Sequence, residues 1–332
     1  LGSIGQAPPG PVTFEEAHKL NLEWARRRKD PQAIFLLGLR QYFGAGIPRD
    51  LPEAVDNFRK AAKAGNPAAQ CQLGLIYEYN PALLKLAASP VSLGLAAEQY
   101  RQASAGGNVD GIANYATMLM EGRGVLADRG QAEALYRRCL EIDPDHARAH
   151  HNLAVLLQRR QTDQAAALDV SAMRTEMLQH YERAAALKLP YAPLALGALY
   201  YEGRLVPRDY RKAYNYFEQA ASAGMAQANF NLGYMHELGQ GVPITLTEAA
   251  YRYRLAGLEG HVEALRRLAN FYLTGEGVAF DADRALFWLG QLAARGYPRV
   301  FVTAGDVLLA KGDYPEAVKR VRLPDGFQVT LA

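Results

Sequence analysis

Small, aromatic and polar residues return along this chain in one fixed frame. The frame is anchored seven times, on Gly38, Gly74, Ala116, Ala154, Gly197, Gly233 and Ala269. In the cleanest copies glycines stand six and eight residues past the anchor, as Gly44 and Gly46, Gly239 and Gly241, Gly275 and Gly277, whereas the copy at Gly197 has Gly203 and then Leu205. Twelve past the anchor comes Asp50, Asp209 or Asp281, with Thr245 as the exception, and sixteen past come Ala54, Ala213, Ala249 and Ala285. The frame closes on an aromatic at twenty (Phe58, Phe217, Tyr253), an alanine at twenty-three (Ala61, Ala220, Ala256) and a glycine at twenty-seven (Gly65, Gly224, Gly260, Gly296). Recurrence at a fixed period is the signature of a repeat architecture.

Each position has a mechanical reason. Small anchors let two helices approach closely, the aromatic fills the wider gap beside them, and the glycine pair supplies the positive φ that ends one helix and turns the chain. The aspartate can cap the free N–H groups of the next helix. One repeat is therefore a helix, a glycine turn and a second antiparallel helix. Such a unit cannot bury both apolar faces alone, so neighbours must stack on it and extend the core.

The segments GALYYEGRLVPRDYRKAYNYFEQAASAG and NFYLTGEGVAFDADRALFWLGQLAARG resemble the Sel-1-like repeats, a subclass of the tetratricopeptide-type helical repeats. The resemblance covers roughly residues 33 to 300. It implies an all-α right-handed superhelix, a solenoid of about seven repeats, and a non-catalytic scaffold or adaptor. Members of the family serve in membrane-associated complexes, signalling and organelle assembly, which points to an accessory or assembly subunit of a larger complex.

The centre of the array departs from the frame. Anchor spacings run 36, 42, 38, 43, 36 and 36. In the second repeat NPALLKLAASPVSLG replaces the glycine turn and shifts Ala96, Tyr100, Ala103 and Gly107 by six residues. The third ends as LEIDPDHARAHHNLAVLL, like an ordinary tetratricopeptide junction, and the fourth carries seven extra residues within QRRQTDQAAALDVSAMRTEM. That insert is helix-friendly, so longer helices and a loop are both open. The expected organisation is a flexible segment over 1–12, a capping helix over 13–30 opened by the capping box Thr13-Phe14-Glu15-Glu16, the array over 31–300, irregular at 75–110 and 143–190, and a degenerate capping repeat and tail over 301–332.

Composition adds little to this reading. A hydrophobic content of 49% is ample for burial, and the net charge of +3 is small for 332 residues. WARRRK and LQRRQ are short and lack interleaved aromatics, so nucleic acid is not an expected partner. No apolar run reaches the ~18 residues of a membrane span, so the expectation is a soluble chain without a transmembrane segment, which leaves association with a membrane complex open. The start at Leu1 fits a removed secretory or organellar peptide as well as a trimmed boundary, and both a mitochondrial or organellar and a bacterial periplasmic location stay open. Cys71 and Cys139 have no metal-type spacing and read as small residues at helix contacts.

Candidate chemistry is sparse. Asp143, Asp145, His146, His150 and His151 form the best cluster, with His146 and His150 four apart as potential metal ligands on one helix face. The plainer reading is an Asp-Pro turn opening a tetratricopeptide helix. The glycine turns lack the Gly-Lys-Ser/Thr continuation of a phosphate loop, and no nucleophile with its base stands out. The expectation is neither catalysis nor a cofactor.

What the array offers is surface. If first helices line a concave side as in tetratricopeptide proteins, positions −6, −3, +1, +4 and +5 from each anchor face a groove. These include Phe35, Tyr42 and Phe43, Tyr79, Tyr191 and Tyr201, Phe230 and Tyr234, and Arg266 and Asn270. Aromatic anchors of this kind favour protein partners, an extended peptide or a helix, in the groove. In a tight superhelix about half of these positions pack against the next first helix instead. The Lys/Asn/Arg set that captures a C-terminal carboxylate is not reproduced. The alternatives are a secreted or periplasmic regulator that binds partners transiently, and a metal-binding or enzymatic protein built on His146 and His150.

Overall fold

In a computed structural model, residues 30–163 and 170–297 are described, with the backbone alone at 162, 163 and 170. The expected N-terminal segment and capping helix, apart from Asp30, and the whole of the expected C-terminal capping region over 301–332 lie outside them. The described residues hold fourteen α-helices and no strand. They divide into two compact units, with the boundary between Arg160 and Gln161.

The first unit holds α1 (Pro31–Phe43) and α2 (Leu51–Lys63), then α3 (Pro67–Tyr79), a 3-10 turn (Pro81–Leu84) and α4 (Pro90–Ala105), then α5 (Val109–Glu121) and α6 (Arg129–Ile142). The unit boundary falls inside α7 (Ala147–Asp163). The second unit continues with α8 (Val170–Ala186), α9 (Tyr191–Glu202), α10 (Tyr210–Ser222), α11 (Ala226–Leu238), α12 (Leu246–Leu258), α13 (Val262–Thr274) and α14 (Ala282–Ala293). Each regular repeat is thus a pair of helices of 12 to 14 residues, whereas α7 and α8 of the irregular fourth repeat have 17 each. Its additional residues lengthen helices.

Side-chain caps start the second helices where the frame places them. Asp50, Asp128, Asp209 and Asp281 each accept a backbone N–H three residues on, at 2.9–3.0 Å. Thr245 provides no such cap. The turn before each is closed by one recurring bond, from the N–H at +12 to the carbonyl at +3: Asp50 to Gln41, Asp128 to Leu119, Asp209 to Tyr200, Thr245 to His236 and Asp281 to Tyr272, at 2.9–3.0 Å. The second glycine of the turn does more than bend. A Cβ on Gly241 would lie 2.8 Å from the backbone of Tyr210, and Gly124 and Gly277 sit as tightly on the backbones of Leu93 and Leu246. Each presses on the start of the second helix of the preceding repeat, where only a residue without Cβ fits.

The core follows the same frame. Ala54, Ala96, Ala132, Ala213, Ala249 and Ala285 are fully buried, and so are Phe58, Tyr100, Tyr136 and Tyr253, with Phe217 and Tyr181 nearly so. Each ring that faces a glycine anchor lies against it: Phe58 on Gly38, Tyr100 on Gly74, Phe217 on Gly197 and Tyr253 on Gly233. The partner of the ring on the first helix, at +4, varies in step with it. Where the ring is phenylalanine, +4 is tyrosine, with Tyr42 and Phe58 centroids 6.0 Å apart and Tyr201 and Phe217 6.4 Å apart. Where the ring is Tyr100 or Tyr253, +4 is Glu78 or Glu237, whose carboxylate accepts the hydroxyl proton. In the second repeat the missing glycine turn is replaced by the 3-10 turn, which buries Leu84 in the core of the first repeat with Phe58 and Val55.

Candidate functional site

On the first helices the exposed stripe lies at −6, −2, +1 and +5. Steps of four, three and four residues keep these positions on one helix face. In the first unit the −2 and +1 residues are Leu36 and Leu39, Gln72 and Leu75, Asn114 and Thr117, Asn152 and Val155, all half-buried. The stripe ends at +5 in Phe43 and Tyr79, 69% and 65% exposed, followed by Glu121 and Arg159. In the second unit it carries Tyr191, Asn231, Tyr234, Leu238, Arg267 and Asn270 among others.

The expected groove residues separate into two settings. Phe43, Tyr79, Arg266 and Asn270 are exposed, and Tyr191 and Tyr234 are half-buried. Phe35 is a core residue, its ring 5.8 Å from that of Phe58, and it leaves the candidate surface. Tyr42 and Tyr201 at +4 are half-buried against Phe58 and Phe217, and the Tyr201 hydroxyl donates to Gln240 Oε1 at 2.6 Å. Phe230 at −3 is half-buried in a stack with His261 (4.5 Å) and Tyr234 (6.2 Å). The cause is helical period: −3 and +4 lie one residue off the exposed stripe, and Phe35, Phe230, Tyr42 and Tyr201 there turn toward neighbouring helices, whereas Arg266 at −3 of the last repeat stays exposed. Position −2 is the one that sequence reasoning missed. Its signal was the same 3.6-residue period, applied strictly.

Electrostatics on this face are local. Arg267 Nη1 meets Glu237 Oε1 at 2.6 Å, and its guanidinium stands 4.7 Å over the ring of Tyr234. Burial first, and then the Glu237 carboxylate, push the Tyr253 hydroxyl far above its ordinary range, so it stays a donor. Arg123 pairs with Glu78 at 2.8 Å, tying the second repeat to the third. Arg266 is held by Glu263.

The histidine cluster is engaged in its own turn. His146 Nδ1 accepts the N–H of Ala149 at 3.1 Å, which caps α7, and its Nε2 faces Asp110 at 3.5 Å. Hydrogen bonding from His146 holds the Asp110 carboxyl below its usual range. His150 Nε2 donates to the carbonyl of Pro144 at 2.9 Å. Among the described residues no group of three or more His, Cys, Asp or Glu is placed to hold a metal ion. Cys71 and Cys139 are buried free thiols, and burial pushes each up to about 12, far from the reactive thiolate form. No described helix is long and apolar enough to cross a membrane.

The Sel1 repeat model matches residues 31–66, 67–80, 109–138, 190–225, 226–261 and 262–297, more than half of the chain. This chain belongs to the Sel1 repeat family. A tetratricopeptide repeat model matches residues 135–184, the junction where the Sel1 frame lapses. No curated protein matches this Sel1-repeat chain in sequence. Among solved structures it is similar to a protective antigen of uropathogenic Escherichia coli strains with an SLR fold, at 23% identity over 94% of this chain and 68% of that one, with a TM-score of 0.64. It is also similar to a Sel1 repeat protein from Oxalobacter formigenes, at 23% identity over 78% and 96%, TM-score 0.62. A human IFIT1 dimer with m7Gppp-AAAA aligns at 17% identity over 94% and 67%, TM-score 0.51. At such identities these likenesses concern the fold alone. Sel1 and tetratricopeptide repeats are those of protein-interaction scaffolds, a class that is in general non-catalytic.

Proposed function

We propose that this Sel1-repeat protein is an accessory or assembly subunit that binds protein partners along the exposed stripe of its first helices. The observation that carries the reading is the make-up of that stripe. In the first unit it joins half-buried leucines and amides to two aromatic rings, Phe43 and Tyr79, that stand largely in solvent. Large exposed aromatics on a rigid helical frame offer much apolar area at little entropic cost, which is the composition of protein-binding surfaces. Nothing in the reading requires chemistry at the histidine cluster, whose rings serve the α7 turn.

The test is purification from the native source under mild conditions, with mass spectrometry of what co-migrates. Stoichiometric co-purification with one complex supports a subunit and names the compartment. Migration alone overturns the subunit reading in favour of a regulator that engages its partners transiently.

A further inference from the structure

The second glycine of a regular turn, at +8, presses on the backbone at +13 of the preceding repeat: Gly124 on Leu93, Gly241 on Tyr210 and Gly277 on Leu246. Those three +13 residues are half-buried beneath it. Where the second repeat lacks the glycine turn, its 3-10 turn packs on the first repeat instead and buries Leu84 there. The fourth repeat has neither device. Its +8 residue is Thr162, still within α7, so among the described residues no turn comes back onto the start of α6. Arg129, the +13 residue at that junction, is exposed. A cavity of about 690 Å³ opens at this seat, lined by Met120, Glu121, Ala127, Asp128 and Arg129 and, from α7, by Arg159.

The acids of the seat are engaged by neighbours. Asp128 caps α6, its Oδ1 accepting the N–H of Gln131 at 2.9 Å, and Glu121 Oε2 meets Arg123 at 3.4 Å. Arg129 and Arg159 have contacts within the chain as well, yet each guanidinium carries five N–H donors and a carboxylate takes two. The cavity therefore keeps cationic donors to offer.

We infer that this seat receives a loop of a partner protein, turned by a glycine and carrying an aspartate or glutamate that Arg129 and Arg159 hold. This rests on the reading of the chain as a protein-binding scaffold, and it says what one partner brings. Two observations commit the seat to a loop. At three other junctions the equivalent seat is covered by main chain at a glycine, because a Cβ there would overlap the backbone beneath. Four of the six lining residues are charged, whereas a cavity for a small organic ligand is mostly apolar. The acidic residue follows from the two guanidiniums, whose planar forks match a carboxylate.

The probe is a phage-displayed library of disulfide-closed peptide loops panned on the full chain. The expected result is enrichment of loops that hold a glycine together with an aspartate or glutamate. Replacing that acid by its amide in a resynthesised loop should weaken binding about tenfold, a change that leaves the protein untouched. Arg129→Leu installs the residue type of Leu93 and Leu246 at +13, so it removes the charge and keeps the frame. In this variant and in Arg159→Gln the acidic loop should lose about tenfold, and the gap between acid and amide should shrink. Ala127→Trp, at an exposed position, fills the cavity and should abolish binding. Unchanged melting of each variant is established first, and the comparison of acid with amide on the native chain stands even where a variant melts early. Failure to enrich any loop overturns the inference, as do enriched loops without an acid. Binding indifferent to all three substitutions overturns it too, because such loops sit elsewhere on the chain. None of these outcomes touches the co-purification result, which alone decides the scaffold reading.

Discussion

Tyr100 lies flat against the backbone of Gly74, so close that a Cβ at that position would stand 2.6 Å from ring carbon Cδ1. The same contact joins Gly233 to Tyr253 at 2.8 Å and Gly38 to Phe58 at 2.8 Å. Glycine here makes room for a fully buried ring and accepts its cost in helix propensity, about 1 kcal/mol against alanine.

Gly74→Ala is therefore expected to destabilise the protein, although alanine is the better helix former. Overpacking of this kind costs roughly 1–3 kcal/mol beyond any propensity gain. Denaturant unfolding of the variant should show a lower midpoint with an unchanged slope; a raised midpoint would mean that the ring moves aside freely.

Two glycines with the same backbone geometry should respond differently. Gly65 and Gly241 have φ of 85° and 75°, yet an added Cβ meets nothing within 4 Å at Gly65 and lies 2.8 Å from Tyr210 backbone atoms at Gly241. Gly65→Ala is expected to cost about 1–2 kcal/mol from the left-handed conformation alone. Gly241→Ala should cost clearly more, because it also separates two repeats, and equal melting temperatures for the two variants would refute the role of this glycine as an inter-repeat contact.

The matched pairs at +4 and +20 predict a rescue. Tyr100→Phe strips Glu78 of a 2.7 Å hydrogen bond and should cost roughly 1–2 kcal/mol. Glu78→Tyr alone also breaks the salt bridge with Arg123. The double variant recreates the tyrosine on phenylalanine arrangement of Tyr42 with Phe58, so its loss should be smaller than the sum of the two, and a double-mutant cycle of thermal unfolding measures the difference.

Acid should weaken the fold in a defined window. Burial lowers His151 to about 4, whereas in the unfolded chain it titrates near 6.5. The unfolded state binds more protons between these values, so stability is full above about pH 6.5 and falls as pH drops toward 4, by roughly 1–3 kcal/mol. His236 and His261 are lowered by burial as well and act in the same sense, whereas the lowered Asp110 keeps its contribution throughout this window and loses it only below the usual carboxylate range. Melting temperatures across pH 4–8 should show this fall, and His151→Gln should flatten part of it.

Phe43 and Tyr79 should be separable from stability. Exposed as they are, their replacement by alanine is expected to change folding by no more than about 0.5 kcal/mol. The same double variant should lose the partner in co-purification; retention of the partner would place the contact elsewhere.

Much of this protein was legible in its residues because a repeat multiplies each signal. Period alone separates helix, turn and helix, and the recurrence of Gly38, Gly74, Gly197 and Gly233 marks close helix contacts before any coordinate is known. The longer spacing at the fourth repeat told that residues were inserted; that they lengthen α7 and α8 was a matter of packing. The surface was harder to read. Phe35 and Phe43 are both aromatic residues on one helix, eight positions apart, and nothing in their chemistry separates a core ring from a solvent ring.

What the sequence by itself determined is the repeat: its helices, its aspartate caps and its glycine turns, all of which depend on residues near one another in the chain. Which side of each first helix meets solvent was decided by tertiary structure, because it depends on where the neighbouring repeat presses. That pressure buries Phe35, draws Tyr42 and Tyr201 half inside, and leaves Asn114 and Asn152 half-buried with their donors turned inward. Side-chain direction of this kind is set by partners distant in sequence, and only the folded chain brings them together.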